Sequence, residues 1–414
     1  MPWIRHGIRE GGPLAAFREV SRKQTVVIPD DRGCGGHEVR RQERTGMAGE
    51  WQNGAETGTE TGSQERSQDI VEKWLEGIRL GRAKRCGGVV LVPLLKGDRS
   101  VDASETTRGG TGYRTMPEAM ARGDLLVMEV SSIGMPGEVL AWNRGDVPVL
   151  MLEGEEWSGA RQNRVLMASV LLRPDQPRHL PVACSEPGRW NYPGKGAGPA
   201  MGESGSCLPP GMRAAARMAR TLSGEWTSEA AKAVGEVVRQ GLLEWRTQVG
   251  GGETLSDWQD RDVRRWEGLE EVFRWVPGQV GWMAHVHGVW QSVELVSRPA
   301  AWRRWHDKWL RGVLSGTEPR GAHDRHEDGP RDDAGWRRSA RLALLELTQG
   351  SRARSPGIDL GEREEQRSAQ WTGAALVLDG EVLQGGWQRI PLGARHDPWR
   401  VQPAQGMGMT SIPR

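Results

Sequence analysis

Apolar positions recur along this chain with two periods, and the changes between them mark its parts. Ile70, Val71, Trp74, Leu75 and Ile78 fall three and four apart, which predicts a short amphipathic helix. The continuous apolar run at 87–95, GGVVLVPLL, predicts a buried strand, and DRSVDASETTRGGTG after it a mobile loop. From 124 to 184 the texture becomes that of short strands at Leu125–Val130, Glu138–Trp142, Val147–Leu152, Val165–Leu172 and His179–Cys184, with turn residues between them. Strands in such a series predict an antiparallel sandwich or small barrel.

Helical spacing takes over at 209. Pro209 and Pro210 open MRAAARMAR, and Thr227 or Ser228 caps a helix that aligns Val234, Val237, Val238 and Trp245. Another helix is expected through Val263, Trp266, Leu269 and Phe273. Two strands, 279–287 and 289–296, flank a turn at Gly288. Pro299 then opens a helix with Trp302, Trp305, Trp309 and Val313 on one face. A charged loop at 316–335 and a helix over Trp336–Leu347 precede a hairpin at 373–387 that turns at Asp379-Gly380. The expected class is α+β: a β-rich part (67–208) and an α+β part (209–390) of one domain, between a disordered N-terminal segment (1–66) and a disordered tail (391–414). Met47 is an alternative start to Met1.

Composition narrows the function classes. Among 414 residues, 56 Lys and Arg stand against 54 Asp and Glu, interspersed, so no basic footprint for nucleic acid or membrane is expected. No run approaches the ~18 apolar residues of a membrane helix, and the N-terminus lacks a secretion signal, which points to the cytoplasm. Cys34, Cys86, Cys184 and Cys207 form no CxxC pair, which argues for free thiols and against structural zinc. The 20 Trp against 2 Tyr and 2 Phe are read as core aromatics.

The densest chemistry is GEEWSGARQNR, Gly154–Arg164. There Glu155 and Glu156 offer general acid or base chemistry, and Gln162, Asn163 and Arg164 offer ligand-binding amides and a guanidinium fork. CSEPGRW adds Glu186, Arg189 as a second anion clamp and Trp190 as a stacking face; Cys184 is either a core thiol or a nucleophile. Glu–Arg pairs that merely hold turns together explain the same residues. His285 and His287 alternate on a strand without a third ligand, and His323, Asp324, His326, Glu327 and Asp328 read as solvated charge; no metal is expected. GxGxxG, GxSxG and HExxH are absent, so the residues alone leave both cofactor and enzyme status open.

These runs in series resemble one family. GDLLVMEV, PVLMLEGEEWSGARQNRVL and LPVACSEPGRW, with YRTMPEAMARG, PGQVGWMAHVHG, VELVSRPAAWRRWHDKWLRG and TGAALVLDGEV, resemble the ARG and Rhodanese-Phosphatase-superfamily-associated proteins over roughly residues 88 to 390. The family pattern falls on Gly154, Glu155, Glu156, Gly159, Ala160, Gln162, Asn163, Arg164, Cys184, Glu186, Gly188, Arg189 and Trp190. The chain departs from it at Arg161, Met167, Ala183 and Ser185. The resemblance implies an association with ADP-ribosylglycohydrolases and rhodanese–phosphatase proteins, hence a nucleotide-derived or phosphate-bearing small molecule, bound or processed. The alternative is a non-catalytic module in which the motif is structural.

Overall fold

The computed structural model describes residues 70–96, 112–131, 133–192, 198–249, 254–265, 269–315, 329–330 and 332–390. The segments 1–66 and 391–414, most of the loop after residue 96, Trp266 and the cluster His323 to Asp328 lie outside them. Two antiparallel β-modules, a three-stranded sheet with one parallel pair, and the helices that clamp them make up the described residues.

The larger module is a nine-stranded sheet. It contains β1 (Arg79–Leu80), β2 (Lys84–Cys86), β3 (Val89–Leu95), β13 (Gln279–Val286), β14 (Val289–Val296), β15 (Ser351–Pro356), β16 (Glu362–Arg367), β17 (Trp371–Leu378) and β18 (Glu381–Arg389). They run in the order β1-β3-β13-β14-β18-β17-β16-β15, with β2 also against β3. Both faces of the centre are covered, which is why β3 reads as an unbroken apolar run. Val90, Val92, Leu94, Met283 and Val293 face α1 (70–76) and α8 (Asp333–Thr348). Val89, Leu91, Trp282 and Ala284 face α7 (Pro299–Leu314), whose Trp302, Trp305, Trp309 and Val313 are buried as one stripe. Asp379 (φ 50°) and Gly380 (φ 80°) make the two left-handed positions that the β17–β18 turn requires.

The smaller module is a closed six-stranded barrel, β11-β6-β5-β12-β8-β9. Its strands are β5 (Leu125–Glu129), β6 (Glu138–Asn143), β8 (Glu155–Gly159), β9 (Arg164–Leu166), β11 (Pro177–Cys184) and β12 (Ala200–Cys207). Val127, Val139, Ala141, Trp157, Leu166, Leu180 and Val182 fill it. Val165 and Ala183 point the other way, onto α3 (Pro210–Leu222) and α4 (Ser228–Val249). The period-2 alternation of β9 and β11 thus serves two cores, one inside the barrel and one between barrel and helices. Beside it lies a three-stranded sheet, β10-β7-β4, of β10 (Val170–Leu172), β7 (Val149–Met151) and β4 (Arg114–Thr115). β4 leads into α2 (Met116–Ala121), closed by a reciprocal Thr115–Glu118 capping box.

Several sequence expectations change. The strand expected over Val165–Leu172 is two, because β9 pairs within the barrel while β10 pairs with β7. The polar run Gly154–Arg164 begins as a strand, β8. β12, AMGESGSC, went unseen because Gly and Ser carry no apolar alternation, and its register shifts between Glu203 and Cys207. The charged β15 and β16 were hidden in the same way. The single helix expected through Val263 and Phe273 is α5 (Leu255–Arg265) and α6 (Leu269–Phe273), since Leu255 and Trp258 pack against α4 whereas Phe273 packs under α7. Thr227 caps α4 through its Oγ1, which accepts from the Ala230 N–H at 3.1 Å. No helix among the described residues is long and apolar enough to cross a membrane.

Candidate functional site

Consecutive residues on a strand project to opposite faces, and this separates the two expected catalytic carboxylates. Glu155 faces α7. Its Oε1 accepts from Lys308 Nζ at 2.8 Å and from Trp305 Nε1 at 2.8 Å, and its Oε2 from the Leu152 N–H at 2.7 Å. Lys308 also reaches Glu203 at 2.6 Å. Burial works against the ammonium, but the two carboxylates outweigh it and hold the lysine pKa above its usual value. Glu156 faces the opposite way, where its Oε1 accepts from Ser185 Oγ at 2.7 Å and its Oε2 has no partner. Burial, aided by the Glu186 carboxylate, pushes the Glu156 pKa up to about 7 against the pull of the hydrogen bonds.

The remaining motif residues gather at one end of the barrel, around the β8–β9 turn. Gly159 (φ 108°) and Ala160 (φ 46°) bend the chain there, and Asn163 Oδ1 accepts from the Gly159 N–H at 3.0 Å. Arg189 closes the turn. Its Nε and Nη2 each donate to Glu186 at 2.6 Å, while Nη1 donates to the carbonyls of Ala160 (2.9 Å) and Asn191 (2.7 Å). The Arg189 fork is therefore occupied by the protein itself. Gln162 Nε2 donates to the Glu186 carbonyl at 2.8 Å, and the Asn163 N–H to Glu186 Oε2 at 3.2 Å.

Arg164 is differently placed. Its side chain is 0 % exposed, Nη1 donates to Gln162, and Nε and Nη2 have no hydrogen-bond partner. The nearest carboxylate, Glu129 on β5, stands 4.0 Å away, with its own Oε2 unpartnered. Burial lowers the Arg164 pKa, only partly offset by Glu129. The indole of half-buried Trp190 lies 5.1 Å from the Arg164 guanidinium carbon, so the expected stacking face covers this arginine. Cys184 is Arg164's register partner; burial raises its thiol pKa, which favours the inert form over a nucleophile. Unpartnered donors on a buried guanidinium are costly unless another group completes them, which makes this mouth the strongest ligand candidate in the motif.

Gly154 ties the motif to α3. It has φ +88°, and a Cβ there would stand 2.6 Å from Arg213 Cδ. Gly154→Ala is expected to lower stability by about 1–3 kcal/mol, measured by chemical denaturation; an unchanged midpoint would show that the turn relaxes.

His285 and His287 do not share a strand face. His285 follows a bulge and packs edge-on against Trp290 and Trp336, with its pKa pushed down to about 4 by burial, whereas His287 lies in the turn at φ 46°. Among the described residues no group of His, Cys, Asp and Glu is arranged to hold a metal. Cys86, Cys184 and Cys207 are free thiols. A cavity of about 300 Å³ lies away from the motif, lined by Pro209, Met212, Trp245, Trp258 and His287 among others.

Sequence reasoning missed Glu129, Lys308 and the buried arginines Arg213, Arg217 and Arg220 of α3. Two signals were present. Lys308 falls three residues after Trp305, on the buried side of its helix, and MRAAARMAR carries arginines four and three apart among alanines.

Comparison with known proteins adds one match. A family model described as ARG and Rhodanese-Phosphatase-superfamily-associated Protein domain covers residues 77–388, well over half of the chain. No curated protein and no solved structure gives a significant match.

Proposed function

This chain belongs to the ARG and Rhodanese-Phosphatase-superfamily-associated Protein family, and from that premise we propose that its barrel mouth binds a phosphate-bearing small molecule of the ADP-ribose class. The observation that carries this reading is Arg164, fully buried with two donor nitrogens unmet. A phosphate oxygen is the acceptor that a guanidinium fork completes best. Glu129, Gln162, Asn163 and Trp190 frame the position, and the Arg189–Glu186 clasp holds the turn that presents it. If the bound molecule is also processed, the carboxyl beside it is Glu129, because Lys308 holds Glu155 and Glu156 lies across the barrel wall against Ser185. The family's association with ADP-ribosylglycohydrolases supports the ligand class, and cytoplasmic residence accords with it.

The test is a thermal-shift series with ADP-ribose, AMP and ribose 5-phosphate on wild type and Arg164→Gln. A saturable rise in Tm for a phosphate-bearing compound, weakened at least tenfold in apparent affinity by Arg164→Gln, is expected. No shift with any of the three refutes the reading.

A second reading, a structural motif without a ligand, is favoured by the Glu155–Lys308 and Arg189–Glu186 pairs, both satisfied within the protein. It predicts that Arg164→Gln changes stability alone.

A further inference from the structure

The α3 arginines belong to a second, separate constellation. Arg213, Arg217 and Arg220 are 3 %, 4 % and 1 % exposed. An α-helix that buries three guanidinium groups needs acceptors for them, and the sheet supplies only some. Arg213 pairs with Glu294 at 2.5 Å. Arg217 forms a bidentate pair with Glu153 at 3.1 and 2.7 Å. Arg220 shares Glu365 (2.7 Å) with Arg363 of β16. Glu364 is shared in turn by Arg352 (3.8 Å) and Arg354 (3.2 Å). Each carboxylate is thus already engaged, yet Arg217 Nη1 and Arg220 Nε and Nη1 have no hydrogen-bond partner. Trp226 is flanked by Arg220 and Arg363 at 4.5 and 5.1 Å, so it covers two of the cations from outside.

A cavity of about 120 Å³ opens here between α3 and the β15–β17 end of the large sheet. Arg217, Thr221, Arg352, Ala353, Glu365 and Arg367 are among its lining residues. Its volume is well below the roughly 300 Å³ at which small-molecule pockets begin, so a whole nucleotide does not fit. A compact oxyanion does. The local field favours one: the Glu153 side chain is only 11 % exposed, yet Arg217, Arg220 and Arg363 overcome the cost of that burial and hold its pKa down at about 2.

We infer that this cavity is an anion site for a phosphate-sized dianion, with the unmet Nη1 of Arg217 as its innermost donor and Arg352 and Arg367 at its rim. The ligand is inorganic phosphate or the terminal phosphate of a larger molecule whose remainder stays outside. The site shares no residue with the barrel mouth, so either assignment stands if the other fails.

The probe is potassium phosphate, titrated into the full chain against potassium chloride at matched ionic strength, with Tm as the readout. A saturable rise with phosphate and none with chloride is expected. Methyl phosphate, titrated in parallel, separates the two sources: an equal rise marks a terminal phosphate, and a weaker one free phosphate. Ala353→Trp fills the cavity from an exposed strand position without removing a charge, and it should abolish the rise. Arg164→Gln, at the barrel mouth, should leave it intact. Arg367→Glu, at the exposed rim, provides a second variant should Ala353→Trp fail to fold, with apparent affinity expected to fall at least tenfold. A phosphate response no larger than that of chloride overturns the inference, as does a folded Ala353→Trp or Arg367→Glu protein that responds like wild type.

Discussion

Lys308→Met is expected to destabilise the protein by about 3–5 kcal/mol, the cost of removing one partner from a buried ion pair. Glu155 is 0 % exposed, and the Lys308 ammonium at 2.8 Å is the cation that neutralises it. Without it the Trp305 and Leu152 N–H groups remain, but they do not neutralise a charge in the core. Glu203 is 26 % exposed and can turn to water, so the loss falls mainly on Glu155. Burial already raises the Glu155 pKa against the pull of Lys308, and without that cation the carboxyl takes up a proton in the folded state. A folded-state pKa raised above the unfolded value gives stability at low pH that is lost as pH rises from the unfolded pKa through the folded one, so the defect should be larger at pH 8 than at pH 5. The double variant Glu155→Gln/Lys308→Met should recover most of the loss. Urea denaturation of the three proteins at both pH values checks this; a single-variant loss under about 1 kcal/mol, the worth of an exposed pair, would refute the assignment of Glu155 to holding α7 against the barrel.

Glu156→Gln should act in the opposite direction. The folded-state pKa of Glu156 is raised from 4.5 to about 7, mainly by burial. Below pH 4.5 both folded and unfolded states carry the proton, and the group costs nothing. Between pH 4.5 and 7 the unfolded chain releases it while the folded one keeps it, so stability falls as pH rises, and above 7 the loss is complete. The shift corresponds to a loss on the order of 3 kcal/mol. Glutamine keeps an acceptor for Ser185 Oγ and cannot ionise, so the variant should match wild type at low pH and exceed it at about pH 8 by that amount. Equal stability under those alkaline conditions would mean that Glu156 ionises freely in the folded protein.

Much of the fold was legible because apolar periodicity reports burial directly. The tryptophan stripe of α7, the unbroken run of β3 and the Asp379-Gly380 hairpin each follow from local pattern and turn chemistry. Strands whose side chains are small or charged were not legible. β12 is held by its barrel neighbours and β16 by an arginine–glutamate ladder, neither of which leaves an apolar alternation to read. The motif was visible as a concentration of polar groups, and the proximity of Gln162, Asn163, Arg164, Glu186, Arg189 and Trp190 in space agrees with their proximity in two short runs.

Local pattern was enough to give the α+β class and the stretch of chain where polar chemistry is densest, because these depend on periodicity and composition near each residue, and the resemblance of its motifs pointed to the family that the family model then matched. Where each polar group points and what it pairs with were decided by contacts between distant parts of the chain. They set Glu155 and Glu156 on opposite faces of β8, brought Lys308 to one and Ser185 to the other, closed Arg189 on Glu186, and left Arg164 and the α3 arginines with donors unmet. The physical reason is that the charge state and availability of a buried group depend on partners far away in sequence, such as Lys308 for Glu155 and Glu365 for Arg220, and no local pattern specifies them.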